Sequence, residues 1–107
     1  MFNFLKGNSL SQDKAYEELQ KDASIKVIDV RTAQEYREGH IKGSVNVPLD
    51  TIPSRFEKAY PNKDEKMFII CYSGARASDA TAFLTRLGYK NVHNIGGVAS
   101  WRYGLVR

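Results

Sequence analysis

Residues 67–88 read MFIICYSGARASDATAFLTRLG, and this stretch decides the fold class. Met67 to Ile70 is an uninterrupted apolar run, which is typical of a strand covered on both faces in a parallel sheet. Apolar side chains then recur at helical spacing and Gly88 stands where a helix is expected to stop, which predicts a helix from about Arg76 or Ala77 to Leu87. The stretch is therefore interpreted as a central strand, a short loop and a helix.

The segments on either side alternate between the two kinds of structure. Helices are predicted at three places: from Ser9 to about Lys21, around Gln34 to Glu38, and from Ile52 to near Pro61. The first of them begins with capping-box spacing between Ser9 and Gln12. Strands are predicted at Lys26 to Val30, Ser44 to Val47 and Asn91 to Ile95, followed by a turn at Gly96 and Gly97 and a short segment to Trp101. This order predicts one α/β domain over residues 1–107: a three-layer sandwich with a mostly parallel central sheet of about five strands and helices on both faces.

Composition narrows the class of protein. The chain has 107 residues, of which 42% are hydrophobic and 26% charged, so one buried core is expected and disorder is not. The opening residues 1–7 are too short for a secretory signal and no apolar run could span a bilayer, which predicts a cytoplasmic protein without membrane contact. The net charge of +4 is scattered rather than clustered, which argues against nucleic acid as a partner.

The chain has a single cysteine, Cys71, so an intramolecular disulfide and a multi-cysteine metal site are both excluded. Cys71 begins the loop Cys71-Tyr72-Ser73-Gly74-Ala75-Arg76, where ligands of open α/β sheets bind: beyond the carboxyl end of a strand. A short loop containing Gly74 can turn successive backbone N–H groups inward, the positive end of the next helix faces the same space, and Arg76 adds a cation. These features favour the thiolate, which could attack sulfane sulfur to form a persulfide or phosphorus to form a thiophosphate.

This loop resembles the active loop of the rhodanese family, in which four residues separate cysteine from arginine. Glycine is the fourth residue of that loop when the cysteine is counted as the first. Related phosphatase loops have five intervening residues. The resemblance extends over about residues 9–101, because VIDVRTAQEYREGHIKGSVNVPL (27–49) is similar to the first half of the family and LGYKNVHNIGGVASW (87–101) is similar to its end. A phosphatase or arsenate reductase is disfavoured by the length of the loop.

The resemblance implies a thiosulfate sulfurtransferase of the rhodanese type that needs no metal or other cofactor. Cys71 would take the outer sulfur of thiosulfate or of a persulfide donor and pass it to cyanide, an acceptor thiol or a protein acceptor. The N–H groups of Tyr72 to Arg76 would hold the persulfide anion. Many active members have a basic residue where this chain has Tyr72, which favours a larger and less charged donor than thiosulfate.

Other interpretations compete with this one. Cys71 could be a buried structural thiol, and the domain could be a non-catalytic, rhodanese-like binding or regulatory module. Asp29 and Arg31 follow a buried strand and could belong to the rim of the site, but a buried ion pair is favoured for them. Trp101 is interpreted as a packing residue that could line the wall of the pocket.

Overall fold

The computed structural model describes residues 9–107, so the prediction about residues 1–7 lies outside the described residues. Helices and strands alternate from the start. The elements are α1 Gln12–Lys21, β1 Lys26–Asp29, α2 Ala33–Glu38, β2 Val45–Asn46, α3 Ile52–Ala59, β3 Met67–Cys71, α4 Ala75–Arg86 and β4 Val92–Gly97, with short 3₁₀ turns at Leu49–Thr51 and Val98–Ser100.

The four strands form one parallel sheet in the order β2-β1-β3-β4. β3 is interior and all five of its residues are buried, which confirms the prediction from its apolar run. Its side chains alternate between two cores. Met67, Ile69 and Cys71 join the core covered by α3 and α4, whereas Phe68 and Ile70 join the core covered by α1 and the segment around Trp101. The predicted α/β sandwich is therefore confirmed.

The sheet has four strands in the described part of the chain, rather than about five. The segment before α1 contributes one bridge, from Ser9 to Asn94, and one hydrogen bond, from Leu10 N to Asn94 O. Because Ser9 is held beside β4, it does not cap α1, and the predicted capping box is wrong. Ser11 caps the helix instead, since its hydroxyl accepts from Lys14 N.

Gly96 and Gly97 belong to β4, so the prediction of a turn at these residues is wrong. The pairing of β3 with β4 shifts after Ile69, so that Cys71 lies opposite Gly97 and β4 contains one extra residue. Gly96 takes φ +88° within this bulge, a value that other residues rarely adopt. The bulge brings the backbone of β4 against the chain immediately after Cys71.

Between residues 9 and 107, no helix is long and apolar enough to cross a membrane.

Candidate active site

The predicted loop lies between the carboxyl end of β3 and the first turn of α4. Cys71 is the last residue of β3, and Gly74 precedes the first residue of the helix. Gly74 has φ +109°, and a Cβ at this position would lie 3.4 Å from the Cα of Gly96. The backbone conformation therefore favours glycine here, whereas the 3.4 Å contact is an ordinary van der Waals distance. Ala75 starts α4 one residue earlier than predicted, within the ordinary variation of helix ends.

The sulfur of Cys71 accepts two backbone hydrogen bonds. Gly74 N lies 3.0 Å from Sγ and Ala77 N lies 3.3 Å from it, and the residue is 1% exposed. Both donors belong to the amino-terminal end of α4, where backbone N–H groups have no intrahelical acceptor. An anion at Sγ gains more from these donors and from the helix dipole than a neutral thiol does. The arrangement is thus suited to a sulfur nucleophile in its charged form.

The remaining loop residues either expose their side chains or make hydrogen bonds through their backbone. Tyr72 is 54% exposed, and its carbonyl accepts from Ala99 N at 3.0 Å. Ser73 and Ala75 are also exposed. Asn94 braces the loop from β4, because its amide donates to Gly74 O at 3.3 Å and its side-chain oxygen accepts from Gly96 N at 2.8 Å. Nothing in the spacing of the sequence pointed to Asn94.

Arg76 is bound by a carboxylate and does not offer a free cation. Its Nη1 donates to Glu35 Oε1 at 2.7 Å and its Nη2 donates to Glu35 Oε2 at 3.0 Å. This hydrogen-bonded pair lowers the pKa of Glu35 from 4.5 to about 2 and raises the pKa of Arg76. The cation that the sequence placed at the loop is thus already paired with a carboxylate, and its charge is not free to draw in an anionic donor.

Glu35 is the functional residue that the sequence reasoning missed. It occupies the third position of α2, where its carboxylate also accepts from the backbone and hydroxyl of the capping residue Thr32. The Thr32-x-x-Glu35 spacing was a readable capping signal. Its pairing with Arg76 could not be predicted from the sequence, because the two residues are 41 positions apart.

Asp29 and Arg31 form a buried ion pair. Arg31 donates from Nε to Asp29 Oδ1 at 3.0 Å and from Nη2 to Asp29 Oδ2 at 2.7 Å, and both side chains are nearly inaccessible. The same guanidinium donates to the carbonyls of Gly39 at 2.7 Å and Glu35 at 3.3 Å. The pair therefore fixes α2 against the end of β1, which agrees with the favoured structural interpretation.

A cavity of about 280 Å³ opens beside Tyr72. Its walls come from the loop, from α2 and from the C-terminal segment, and they comprise Arg31, Glu35, Glu38, Gly39, Tyr72, Val98 and Leu105. Larger cavities of about 440 and 370 Å³ lie on the α1 side and one of about 390 Å³ lies between α3 and α4, and none of the three contains a predicted site residue. Trp101 lines the cavity of about 370 Å³ and not the cavity beside Tyr72.

Metal ligands are not clustered in the part of the chain that the structure describes. Residues 9–107 contain no group of three or more His, Cys, Asp or Glu side chains placed to hold an ion. The chemistry open to the loop is that of a nucleophilic sulfur held by backbone donors.

Comparison with known proteins agrees with this geometry. The model of the rhodanese-like domain family matches residues 11–103. A sulfurtransferase of Allochromatium vinosum is 36% identical, covering 98% of this chain and 94% of that protein. The thiosulfate sulfurtransferase PspE of Escherichia coli is 34% identical, covering 66% of this chain and 68% of that protein. A crystal structure of a rhodanese-like domain protein from Staphylococcus aureus matches with a TM-score of 0.82 at 30% identity, covering 92% of this chain and 96% of that one. The strand-loop-helix site and these matches together show that the chain belongs to the rhodanese-like domain family.

Proposed function

We propose that this protein transfers sulfane sulfur through a persulfide on Cys71, using thiosulfate or a persulfide as donor and cyanide or a thiol as acceptor. The observation that carries the proposal is the pair of backbone hydrogen bonds from Gly74 and Ala77 to Sγ. A sulfur that served only to fill the core would need no such donors, since a free cysteine packs as a small hydrophobe. The sulfurtransferase relatives support the same chemistry.

The cycle has two displacement steps. The Cys71 thiolate attacks the outer sulfur of thiosulfate, a Cys71 sulfur-sulfur bond forms, and sulfite leaves with the electron pair of the broken bond. The acceptor then attacks the terminal sulfur and the Cys71 thiolate departs with the electron pair. Each step exchanges one bond to divalent sulfur for another, so no external oxidant or reductant is needed.

We assign the stabilisation of the persulfide to the loop backbone. The first-turn N–H groups of α4 at Ala75 and Arg76 have no acceptor within the helix. A terminal persulfide sulfur extending from Sγ would meet donors of this kind, in the manner of an oxyanion hole. Arg76, held by Glu35, acts in this proposal as a support of the loop rather than as the group that recruits substrate.

The test is the intact mass of the protein after incubation with thiosulfate and with a persulfide donor. We expect the gain of one sulfur atom and its loss when cyanide or a thiol is added. Cys71→Ser should gain nothing, and Ser54→Ala, a change in an exposed side chain of α3 outside the loop, should gain sulfur like the unmodified chain. The absence of an adduct with every donor would refute the proposal.

A non-catalytic binding module is the second candidate, and one observation favours it: Cys71 is 1% exposed while the neighbouring Tyr72 is 54% exposed. In that case the loop would present an aromatic side chain to a partner and the sulfur would remain unreacted. The two candidates predict opposite results in the mass experiment. A folded chain that takes no sulfur supports the module.

A further inference from the structure

The cavity beside the loop offers no uncompensated positive charge to a donor. Arg31 is the only cation among its lining residues, and this side chain is 4% exposed and paired with Asp29. Arg76, which approaches from the loop, is paired with Glu35. A dianion such as thiosulfate would therefore meet two cations, Arg31 on the wall and Arg76 from the loop, that already have carboxylate partners. Coulomb attraction would contribute little to its capture.

One carboxylate on the wall lacks such compensation. Glu38 is exposed at the end of α2, and its carboxylate forms no ion pair or hydrogen bond in the part of the chain that the structure describes. With the charges of the two arginine pairs cancelled, Glu38 leaves the mouth of the cavity net negative. The side-chain charges of the cavity wall thus favour a cationic group on the part of the donor that lies there, while the N–H groups of the loop favour negative charge at the sulfur.

The other walls are apolar. Tyr72 and Leu105 are 54% and 43% exposed, unusually accessible for large hydrophobic side chains, and Val98 closes the cavity behind them. Leu105 is held in place because the next residue, Val106, exchanges two backbone hydrogen bonds of 2.8 Å with His40. A space of about 280 Å³ can accommodate a small organic substituent, which would bury carbon against these side chains.

We infer that the preferred donor is a small organic persulfide, R–S–SH, whose substituent R carries an ammonium group and no net negative charge. The carbon atoms of R would lie against Tyr72 and Leu105, and the ammonium would face Glu38. Tyr72 and Glu38 are thus the residues that determine donor specificity. This inference rests on the proposed sulfur transfer and narrows its substrate class.

The transfer step balances without any further reagent. The Cys71 thiolate attacks the terminal sulfur of R–S–SH, a sulfur-sulfur bond forms at Cys71, and the bond between the two sulfurs of the donor breaks. The leaving sulfur keeps the electron pair of that bond and takes up the proton of the donor, which gives the thiol R–SH and the Cys71 persulfide anion.

The test uses three persulfides with the same two-carbon chain and different charge: aminoethyl, hydroxyethyl and carboxyethyl persulfide. We expect kcat/KM to fall in that order and the aminoethyl donor to exceed the carboxyethyl donor by at least about tenfold, because attraction of one donor and repulsion of the other add even at the screening of bulk water. Glu38→Gln should reduce this ratio severalfold, and Glu38→Lys should reverse it. The ratio should also shrink at about 1 M ionic strength, where screening acts over about 3 Å.

Glu17→Lys is the matched control. It makes the same change in charge on the exposed surface of α1 and lies outside the cavity, so the donor ratio should stay as in the unmodified chain. A ratio unchanged by Glu38→Lys, or changed equally by Glu17→Lys, would overturn the inference while leaving sulfur transfer intact. If neither thiosulfate nor any of the three persulfides places sulfur on Cys71, the proposed function itself fails, and the mass of the protein distinguishes the two failures.

Discussion

Gly97 is the position at which a single methyl group should do most damage to the site. A Cβ built there would lie 1.8 Å from the carbonyl oxygen of Tyr72, 2.1 Å from its carbonyl carbon and 2.4 Å from the backbone nitrogen of Ser73. Real contacts of this kind are not closer than 3.0 Å, so the two backbones must separate by more than about 1 Å. The obstacle is backbone, which cannot rotate away as a flexible side chain would.

We predict that Gly97→Ala lowers the free energy of unfolding by about 2–3 kcal/mol, the upper part of the range for an overpacked site. The effect is steric and not conformational, because Gly97 has φ −140° and ψ 159°, values open to any residue. Separation of the strands also weakens the 3.0 Å hydrogen bond from Ala99 N to Tyr72 O. For a domain of this size the midpoint of thermal unfolding should fall by about 10 °C or more.

The same displacement should impair the chemistry beyond its effect on stability. It moves the chain between Cys71 and Gly74, whose N–H lies 3.0 Å from the sulfur. A misplacement of about 1 Å at a reacting group can cost about 100-fold in rate, and we expect a loss of that order in kcat/KM for sulfur transfer. The rate should be measured well below the unfolding midpoint of the variant, so that only folded protein is compared.

Gly43→Ala serves as the control. Gly43 has φ +85° and open space around its Cα, so alanine there introduces backbone strain of about 1–2 kcal/mol without touching the loop. This variant should be destabilised and fully active when folded. If Gly97→Ala has the same unfolding midpoint and the same rate of sulfur transfer as the unmodified protein, the close approach of β4 to the loop has no energetic importance and the reasoning is refuted.

Three further predictions concern the supports of the site and the core. Thr81→Val should raise the free energy of unfolding by about 1 kcal/mol in urea titrations, because the buried Thr81 hydroxyl has no hydrogen-bond partner among the described residues; Thr85→Val, which removes a 2.8 Å hydrogen bond to Thr81 O, should give no gain. Glu35→Gln should destabilise the protein at neutral pH, because hydrogen bonding to Arg76 lowers the pKa of Glu35 from 4.5 to about 2. The stabilisation by the charged carboxylate is complete above pH 4.5 and is lost as the pH falls towards 2. The unfolding free energies of the variant and of the unmodified protein should therefore converge across that interval. Arg31→Met should lower the free energy of unfolding by about 3–5 kcal/mol, because it leaves Asp29 buried and unpaired. The pairing would be contradicted if the double variant Arg31→Met, Asp29→Leu lost as much stability as the two single variants together.

Much of the fold could be predicted from the sequence, because the patterns that specify its strands and helices are local. The all-apolar run Met67 to Ile70 specifies an interior strand whichever neighbours it has, and the periodic apolar residues before Gly88 specify a helix. The errors arose where tertiary contacts compete with local pattern. Ser9 has the spacing of a cap, yet the available edge of β4 holds it as a bridge, and the Gly96-Gly97 pair has the composition of a turn, yet pairing with β3 extends the strand through it.

The sequence by itself determined the place of the proposed nucleophile: a lone cysteine, a glycine and a helix start follow a buried strand within a few residues. Backbone geometry over so short a distance is fixed by local residues. Only the tertiary structure decided which charges the site retains. Glu35, 41 positions before Arg76, neutralises it, while Glu38 stays unpaired on the wall of the cavity. Composition specifies how many charges a chain has, but the partner of each one depends on how α2 packs beside the loop, and that packing brings together residues distant in sequence.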